Sequence, residues 1–457
     1  MQTTYSVIGL GKLGASMAAA IASRGFSVIG VDVSPRSVDL LNAGRAPVTE
    51  PRLQELINAN RQRLRATLSY REAVLNSDVS FVIVPTPSDE RGAFSLEYAA
   101  ESFRQIGRAL AAKPDYHTVV LTSTVLPGAT RHGLLPILEC ESGKQAGRDF
   151  GLCYSPEFIA LGSVIYDFLN PDFTLVGQFD EQSGSRLEAS YAELLENQAP
   201  CRRMSIENAE LAKIALNAYV TTKITFANML ADLCERLPGG DVDAVTGALG
   251  LDRRIGRRYL TGGLGYAGPC FPRDNVALAY MARCLAGSAD LPETIDRLNR
   301  ALPGKYAAQI RDLVQPGGTV AILGLSYKPY SHVLEASQGL ELARLLARAG
   351  LRVIAFDPWL DPATRAGLVG QVDVLDSLED CLRRAEVVVI TTPDPSFQQL
   401  DPAAIPVRSA ATPVVDFWRV ARAQYAGQAH IRYIPVGYGA DDETQAARLQ
   451  ALWNPHA

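Results

Sequence analysis

The chain has 457 residues, of which 47% are hydrophobic and 20% charged, and its formal net charge at neutral pH is −5. This composition is typical of a folded protein of two or three domains, and the acidic balance argues against a nucleic-acid-binding protein. The first residues lack a basic segment followed by an apolar core, and the apolar runs are shorter than the about 20 residues of a membrane span, so we expect neither a secretion signal nor a membrane anchor.

The N-terminal part alternates short strands with amphipathic helices. We predict strands in YSVIGL (5–10), FSVIGVDV (26–33), VSFVIVPTP (79–87) and HTVVLTSTV (117–125), with helices in the segments between them. Strands that are nearly continuous runs of Val, Ile and Leu are typical of a parallel sheet covered by helices on both faces. The pattern therefore predicts a doubly wound α/β domain, to which we assign residues 1–200.

The first predicted strand runs into a glycine-rich turn, VIGLGKLG. Its GxGxxG spacing between a strand and a helix lets a pyrophosphate approach the helix N-terminus. The next strand ends at Asp32, where a carboxylate binds the adenosine ribose hydroxyls and disfavours a 2′-phosphate. We therefore predict an NAD site, with NADP kept as an alternative by the nearby Arg36. The cofactor-binding residues predicted here are Gly9, Leu10, Gly11, Lys12, Leu13, Gly14, Asp32 and Arg36.

A long helix is predicted in the middle of the chain. From Cys201 to Leu237 there is no Gly or Pro, and apolar residues recur at helical spacing. A fully helical segment of this length would span about 55 Å, and helices of more than about 25 residues usually bridge domains or pack against a partner. We therefore predict a central domain over residues 201–300, whose helix joins two α/β domains and forms a homodimer surface.

The last third of the chain repeats the α/β pattern. Strands are predicted in GTVAILGLSYK (318–328), LRVIAFDP and EVVVITTP, and a helix in SQGLELARLLARAG. GFSVIGVD corresponds to GLRVIAFD, and FVIVPTP to VVVITTP, in the same order, so duplication and chance similarity both remain open. The predicted fold is α/β, with two Rossmann-like doubly wound domains joined by a long central helix, the second domain covering residues 301–457.

Cys270 lies in an unusual frame, GGLGYAGPCFPRDN, at residues 262–275. Glycines let backbone approach a ligand closely, whereas prolines restrict the path of the chain and remove amide donors. From the residue types alone, Cys270 is either a nucleophile or a small buried hydrophobe. The seven cysteines are scattered without CxxC pairs, which is typical of free thiols in a reducing cytoplasm and predicts no metal site.

The frame around Cys270 resembles the active-site signature of the UDP-glucose/GDP-mannose dehydrogenase family. Further segments match the family in order along nearly the whole chain, namely VPTPSDERG, TSTVLPGAT, SPEF, ELAKIALNAY and GLSYKP. The resemblance implies two Rossmann-like domains around a dimerising helix, the N-terminal one binding NAD and the C-terminal one the nucleotide diphosphate. It also implies oxidation of a nucleotide sugar's primary alcohol to a carboxylate with two NAD.

Two hydride transfers from one carbon need a covalent step, because an aldehyde is a poor hydride donor. A thiolate adds to the aldehyde to give a thiohemiacetal, which loses the second hydride and becomes a thioester that water cleaves. By the resemblance, Cys270 is this nucleophile. Lys213 and Asn217, at i and i+4 of the central helix, would stabilise oxyanion character at C6, although by residue type they could be a solvent-facing polar pair.

The resemblance assigns further roles outside the cysteine frame. Asp274 and Thr124 would hold a water or assist proton transfer, and Glu157 would lie along the substrate and act in thioester hydrolysis. The identity of the general base stays open. Further cofactor contacts implied are Thr86, Pro87, Thr124 and Arg273. Further substrate contacts implied are Phe158, Arg254, Tyr259, Gly262, Gly263, Gly265, Tyr266 and Lys328, of which Arg254 would reach the nucleotide in the other subunit of a dimer.

Three positions depart from the family pattern. Leu161 stands where a second glutamate is usual, Arg273 replaces a lysine, and Glu335 stands where an arginine is usual. The thiol chemistry is unaffected, but the sugar is open, and we favour UDP-glucose over GDP-mannose and UDP-N-acetylhexosamine. Because Leu161 cannot ionise, a two-electron dehydrogenase is a further alternative. A nucleotide-sugar sensor without turnover is the non-enzymatic one.

Overall fold

The computed structural model describes residues 2–159, 161–440 and 443–454. The chain divides into two compact units. The first comprises Met1–Leu216 with Tyr280–Ala286, and the second comprises Asn217–Ala279 with Gly287–Ala457. Each unit is built on its own sheet.

The first unit contains an eight-stranded sheet. Its strands are β1 (Thr4–Ile8), β2 (Ser27–Val31), β3 (Leu64–Thr67), β4 (Val79–Val82), β5 (Thr118–Leu121), β6 (Gly151–Tyr154), β7 (Thr174–Gln178) and β8 (Cys201–Ser205). Their order is β3-β2-β1-β4-β5-β6-β7-β8, and only the β6–β7 pair is antiparallel. The order 3-2-1-4-5-6 is that of dinucleotide-binding Rossmann folds. The four strands predicted in this part, β1, β2, β4 and β5, are confirmed.

Helices cover both faces of this sheet. They are α1 (Lys12–Ser23), α2 (Pro35–Asn42), α3 (Leu53–Ala59), α4 (Tyr70–Leu75), α5 (Glu97–Ala111), a π-helical segment Ala129–Leu134 that continues into α6 (Leu135–Ser142), α7 (Val164–Leu169) and α8 (Glu181–Leu194). Val7 belongs to one buried apolar cluster and Ile8 to another. Successive side chains of a strand point to opposite faces, so the two clusters are the two halves of a doubly wound core.

The central helix α9 spans Ile206–Cys234, which is 29 residues and about 43 Å. The prediction that this helix begins at Cys201 is wrong, because Cys201–Ser205 form strand β8 beside β7. The lack of Gly and Pro permits a helix but does not exclude a strand, and the ladder with β7 decides for these five residues. The boundary between the two units falls within α9, after Leu216.

The second unit contains a six-stranded parallel sheet. Helices α10 (Val242–Leu251), α11 (Phe271–Cys284) and α12 (Asp290–Arg311) precede it in the chain. Its strands are β9 (Thr319–Leu323), β10 (Arg352–Phe356), β11 (Asp373–Val374), β12 (Val387–Ile390), β13 (Thr412–Asp416) and β14 (Ile431–Pro435). The helices among and after these strands are α13 (Gln338–Arg348), α14 (Pro362–Ala366), α15 (Leu378–Arg384), α16 (Arg422–Tyr425) and α17 (Glu443–Ala451). The order β11-β10-β9-β12-β13-β14 again corresponds to 3-2-1-4-5-6, which confirms two Rossmann-like domains.

In each unit, the helix that follows the first strand of the sheet lies very close to the turn at the end of that strand. A Cβ at Gly14 would stand 1.8 Å from the carbonyl oxygen of Gly9, and a Cβ at Gly339 would stand 2.6 Å from that of Gly324. Gly9 and Gly324 have φ angles of 98° and 103°, which side chains disfavour. The two units therefore share the same glycine-dependent contact between turn and helix.

The aspartate at the end of the second strand accepts the same backbone hydrogen bond in both units. Asp32 Oδ2 accepts from Leu10 N at 2.7 Å, and Asp357 Oδ2 accepts from Leu325 N at 2.8 Å. In each unit this leucine directly follows the first glycine of the turn. Agreement at the level of single hydrogen bonds favours duplication over chance similarity.

Two glycine variants separate packing from ligand access. Gly14→Ala is expected to lower the unfolding temperature, because its Cβ overlaps a backbone oxygen and overpacking typically costs about 1–3 kcal/mol. Gly11→Ala is the control, since it has nothing within 4 Å of its Cβ and a φ of −68°. Thermal unfolding followed by circular dichroism measures both, and equal unfolding temperatures would contradict the packing role of Gly14.

Candidate active site

The N-terminus of α1 is the centre of the candidate cofactor site. Its N-cap residue is Gly11, which offers no capping side chain, and the first turn carries no acidic residue. Space is open where a side chain at Gly11 would project. Helix N-terminal amides with an open approach suit a pyrophosphate. The segment predicted to bind the cofactor, from Gly9 to Gly14, thus forms one turn and the start of one helix.

Asp32 is oriented by backbone amides at the end of β2. Its Oδ2 accepts from Leu10 N at 2.7 Å and its Oδ1 from Ser34 N at 2.8 Å. These bonds fix the carboxylate beside the glycine turn, while the residue stays partly exposed. Arg36, in the first turn of α2, is exposed. The oriented carboxylate and the open helix N-terminus fit NAD.

A cavity of about 520 Å³ is lined by Val33, the residue after Asp32, together with Leu68 and Tyr70 among others. Val33 and Leu68 are 82% and 53% exposed. Exposed apolar side chains that follow the acid predicted to bind ribose suit an adenine ring. The sequence analysis missed them because Val33 reads as the end of a strand and Leu68 as an ordinary loop residue.

The loops after β4 and β5 are tied together. Thr86 Oγ1 donates to the carbonyl oxygen of Thr124 at 2.7 Å. Ser123 Oγ donates to the carbonyl oxygen of Val84 at 2.7 Å and accepts from its amide at 2.9 Å. Pro87 follows Thr86 and is exposed. The predicted residues Thr86 and Thr124 are therefore neighbours at the carboxyl ends of adjacent strands.

Lys213 of α9 is buried against the segment that follows β6. Its Nζ donates to the carbonyl oxygen of Glu157 at 2.6 Å and lies 4.7 Å from the centroid of the Phe158 ring. Burial raises the pKa of the Glu157 carboxyl to about 7, against the opposing effect of the Lys213 charge. A carboxyl of that pKa exchanges protons near neutral pH, as a general acid or base must.

Leu161, one of the three residues that depart from the family pattern, lies in the turn before α7. The carboxylate of Glu50 accepts from Gly162 N at 3.2 Å and from Val164 N at 2.9 Å. The amides on the C-terminal side of Leu161 are thus bound by a carboxylate from a distant loop. Position 161 itself offers no group that can transfer a proton, which leaves Glu157 as the acid of this segment.

Asn217 lies four residues after Lys213 in α9 and belongs to the second unit. Its Nδ2 donates to Asp274 Oδ2 at 2.6 Å, and Arg273 Nε lies 3.7 Å from Asp274 Oδ1. Asp274 is 1% exposed and stands in the first turn of α11, where the helix dipole stabilises negative charge. Three of the predicted residues therefore form one polar cluster.

Cys270 directly precedes α11 and is exposed. Its carbonyl oxygen accepts from Asp274 N at 2.9 Å, so Cys270 occupies the N-cap position of this helix. A helix N-terminus stabilises a thiolate, and exposure gives a ligand access to it. Burial and the neighbouring Cys270 raise the pKa of Tyr327 to about 12. These surroundings favour a nucleophile over an inert buried hydrophobe.

Two buried asparagines hold the glycine-rich loop before Cys270. Asn228 of α9 accepts from Gly263 N at 2.8 Å, and Asn299 of α12 donates to the carbonyl oxygen of Tyr266 at 3.0 Å. A Cβ at Gly265 would lie 2.1 Å from Asn299 Oδ1, so this contact requires glycine. Sequence reasoning missed both asparagines, since nothing near them in the chain indicates their partners.

Two further side chains bind the same loop. The Nη1 of Arg419 donates to the carbonyl oxygen of Gly262 at 2.8 Å, while its Nε and Nη2 lie 2.9 and 3.0 Å from the carboxylate oxygens of Asp243. The Nδ2 of Asn275 donates to the hydroxyl of Tyr266 at 3.0 Å. The loop is therefore held at several points by buried polar groups, which fixes its path.

The outer residues predicted to bind substrate are less constrained. The side chain of Arg254 is 88% exposed and pairs with an aspartate two residues earlier. Tyr259 has a φ of 63°, is 51% exposed and meets the ring of Phe271 edge-on, with 6.2 Å between centroids. Lys328 Nζ lies 5.5 Å from the ring centroid of Tyr327. Arg254 and Tyr259 therefore keep much of their surface open to a ligand.

The described ranges contain no group of three His, Cys, Asp or Glu side chains arranged to hold a metal ion. In the same ranges, no helix is both long and apolar enough to cross a membrane.

The first sheet, with its glycine turn, places the protein among the dinucleotide-binding oxidoreductases. Three models of one family match the chain, the UDP-glucose/GDP-mannose dehydrogenase family. They describe its NAD binding domain at residues 3–195, its central domain at 207–301 and its UDP binding domain at 321–423. The chain belongs to this family, as its motifs predict, and NAD is its cofactor.

Curated relatives carry the names of two substrates. The chain is 37% identical over 414 residues to the GDP-mannose 6-dehydrogenase of Azotobacter vinelandii, covering 86% of this chain and 92% of that one. It is 35% identical over 400 residues to a UDP-glucose 6-dehydrogenase of Haloferax volcanii, covering 87% and 92%. The structure of a UDP-glucose dehydrogenase from Pyrobaculum islandicum is similar with a TM-score of 0.85 at 34% identity, covering 96% of this chain and 98% of that chain.

The raised pKa of Glu157 predicts a pH-dependent stability. Between the unfolded pKa of about 4.5 and the folded value of about 7, the folded chain holds a proton that the unfolded chain has lost. The wild type therefore loses up to about 3 kcal/mol of stability as pH rises through this window. Glu157→Gln removes the titration, so its unfolding temperature relative to wild type is expected to be higher at pH 8 than at pH 5. A difference that does not change with pH would contradict the burial of this carboxyl.

Proposed function

We propose that the protein oxidises C6 of a nucleotide sugar from alcohol to carboxylate in two NAD-dependent steps, with Cys270 as the nucleophile. The observation that carries this proposal is the exposed Cys270 at the N-terminus of α11. Asp274 follows in the first turn of the same helix and is hydrogen-bonded to Asn217 of α9. When bound, NAD accepts the hydride in each step.

In the first step the C6 alcohol loses a hydride and a proton and becomes an aldehyde. The Cys270 thiolate then adds to the aldehyde carbon, and the resulting thiohemiacetal loses the second hydride to become a thioester. Lys213 and Asn217 supply donors that stabilise the negative charge developing on the C6 oxygen. Hydrolysis releases the carboxylate and restores the thiol.

Glu157 is the group we assign to thioester hydrolysis. With a pKa raised to about 7, it is partly ionised near neutral pH and accepts a proton from the attacking water. Leu161 offers no second carboxyl, so the segment relies on one acid. Asp274 is hydrogen-bonded and helix-stabilised, and we assign it to holding a water or the C6 hydroxyl.

The substrate is the finer part of this proposal. The frame around Cys270 resembles the glucose and mannose types more than the N-acetylmannosamine type, and several relatives, including the one from Azotobacter vinelandii, are named GDP-mannose 6-dehydrogenases. The similar Pyrobaculum islandicum structure is of a UDP-glucose enzyme. We therefore propose these two nucleotide sugars as the candidates, with UDP-N-acetylhexosamines as a control group of poorer substrates.

The assembly we propose is a homodimer through α9. In the second unit this helix exposes Tyr219, Phe226, Met229 and Leu233, which are 45–61% exposed and recur every three, four or seven residues. Residues at that spacing form one apolar stripe, and such a stripe on a folded protein marks a contact surface. The free state of all seven cysteines suits a reducing compartment, and we propose the cytoplasm.

A panel of nucleotide sugars tests the reaction. GDP-mannose, UDP-glucose and UDP-N-acetylhexosamines are each incubated with NAD, and NADH absorbance is compared with the sugar consumed. Two NADH per sugar is expected for one of the two candidates. One NADH per sugar would contradict the proposal and indicate a two-electron dehydrogenase. No NADH with any of the sugars would indicate a protein that binds nucleotide sugars without turnover.

Cys270→Ser tests the covalent step. The serine hydroxyl is a much weaker nucleophile than a thiolate, so uronic acid formation is expected to fall at least about 100-fold. Binding of NAD, followed by quenching of protein fluorescence, is expected to be unchanged. Cys284→Ser, at the other end of the same helix, is the matched exposed-cysteine control. Acid formation at the wild-type rate by the Cys270 variant would refute the nucleophile.

A further inference from the structure

A buried glutamate in α9 has no part in the reaction just described. Glu210 is fully buried and stands one helical turn before Lys213. Burial raises the pKa of its carboxyl, while hydrogen bonds from Gly128 and Thr130 act in the opposite direction. A buried carboxylate is costly unless it is bound, so its partners show what it is for.

The partners of Glu210 are the backbone amides at the start of a helix. Gly128 N donates to Oε2 at 2.6 Å and Thr130 N to Oε1 at 2.9 Å. The helical stretch that begins there, Ala129–Leu134 followed by α6, starts after a glycine with a φ of 89° and therefore without a capping side chain of its own. Glu210 supplies that cap from a helix about 80 residues further along the chain.

The loop that carries Thr124 ends at the helical stretch that Glu210 caps. This loop leaves β5 at Leu121 and is held at its other side by the bond from Thr86 to the carbonyl oxygen of Thr124. Glu210 ties the far end of the loop to α9, three residues before Lys213. All of these residues belong to the first unit. The position of Thr124 relative to Lys213 is therefore set through Glu210.

We propose that Glu210 is a positioning residue, which holds the Thr124 loop and Lys213 in the register that the oxidation at C6 needs. This inference rests on the proposed function. Glu210 acts through two backbone hydrogen bonds and not through the substrate, because its carboxylate is enclosed by the loop it binds. Charge-assisted bonds of this kind are among the stronger ones, so their loss displaces the loop.

The neighbouring Glu207 provides a matched control. It lies one turn earlier on α9 and forms an ion pair with Arg131, a residue of the same helical stretch that Glu210 caps. Its side chain is 34% exposed and it binds a side chain in place of the loop backbone. Glu207→Gln therefore removes the same charge at nearly the same place without releasing the loop.

The test compares Glu210→Gln, Glu210→Asp and Glu207→Gln with wild type. The glutamine has one acceptor oxygen for two amides, and the aspartate is too short to reach both. Displacement of reacting groups by about 1 Å costs up to about 100-fold, so the kcat of Glu210→Gln is expected to fall about 10- to 100-fold and that of Glu210→Asp less. Glu207→Gln is expected to stay within about twofold. Because Thr124 is also a predicted cofactor contact, the KM for NAD is measured beside kcat, and in the Glu210 variants it is expected to change less than kcat does.

A deuterium isotope effect separates positioning from stability. With sugar dideuterated at C6, the effect on kcat is expected to be larger in Glu210→Gln than in wild type, because misalignment slows hydride transfer in particular. Wild-type kcat in Glu210→Gln, or an equal loss in Glu207→Gln, would overturn the inference while leaving the proposed function intact. Glu210 variants that are unfolded at 15 °C would also overturn it, since the role would then be structural. Wild type without NADH formation on any sugar would overturn the proposed function itself.

Discussion

The contact between the turn after the first strand of each sheet and the helix that follows that strand is the constraint on which both units depend. In the first unit the helix meets the backbone at Gly9 through Gly14, and in the second the same contact joins Gly324 and Gly339. Only residues without a Cβ permit an approach this close. Because the helix is anchored there, its N-terminal amides, the carboxylate of Asp32 and the ends of β4 and β5 converge on one edge of the sheet.

The two units use this shared frame differently. Gly14 lies five positions after Gly9 in the first unit, and Gly339 lies fifteen positions after Gly324 in the second, where Ser337 caps α13 by accepting from Leu340 N. The helix N-terminus of the first unit thus has a glycine as its N-cap residue, whereas that of the second unit is capped by a serine hydroxyl. This difference fits the prediction that only the first of the two similar frames binds a pyrophosphate.

Local sequence was sufficient to predict the strands and the glycine turn, but not the long-range hydrogen bonds that hold the candidate site together. The strands around the glycine turn, the turn itself and Asp32 follow from patterns within about thirty residues. The start of α9 was predicted too early, because Cys201–Ser205 carry no local signal that separates a strand from a helix and the ladder with β7 decides. Asn217 and Asp274 were found by resemblance to a family, not by their 57-residue separation.

Each of the residues that the sequence did not reveal has a polar partner far away in the chain. Asn228, Asn299 and Glu210 each bind backbone groups of a loop between 33 and 80 or so residues away, and a polar side chain within a helix does not indicate which loop it will meet. Such contacts follow from the packing of the whole unit. Sequence periodicity reports which face of a helix is buried, not what a buried amide or carboxylate will bind there.

The buried acid of the second unit carries one more consequence. Asp357 is fully enclosed, and its Oδ2 is taken by the amides of Leu325 and Ser326 and by the hydroxyl of Ser326, whereas Asp32 keeps part of its surface in solvent. Both oxygens of Asp357 are bound by neighbouring groups of its own unit, so this acid is not open to a ribose in the way that Asp32 is. The position equivalent to Asp32 therefore gives an adenine dinucleotide no second acid of this kind.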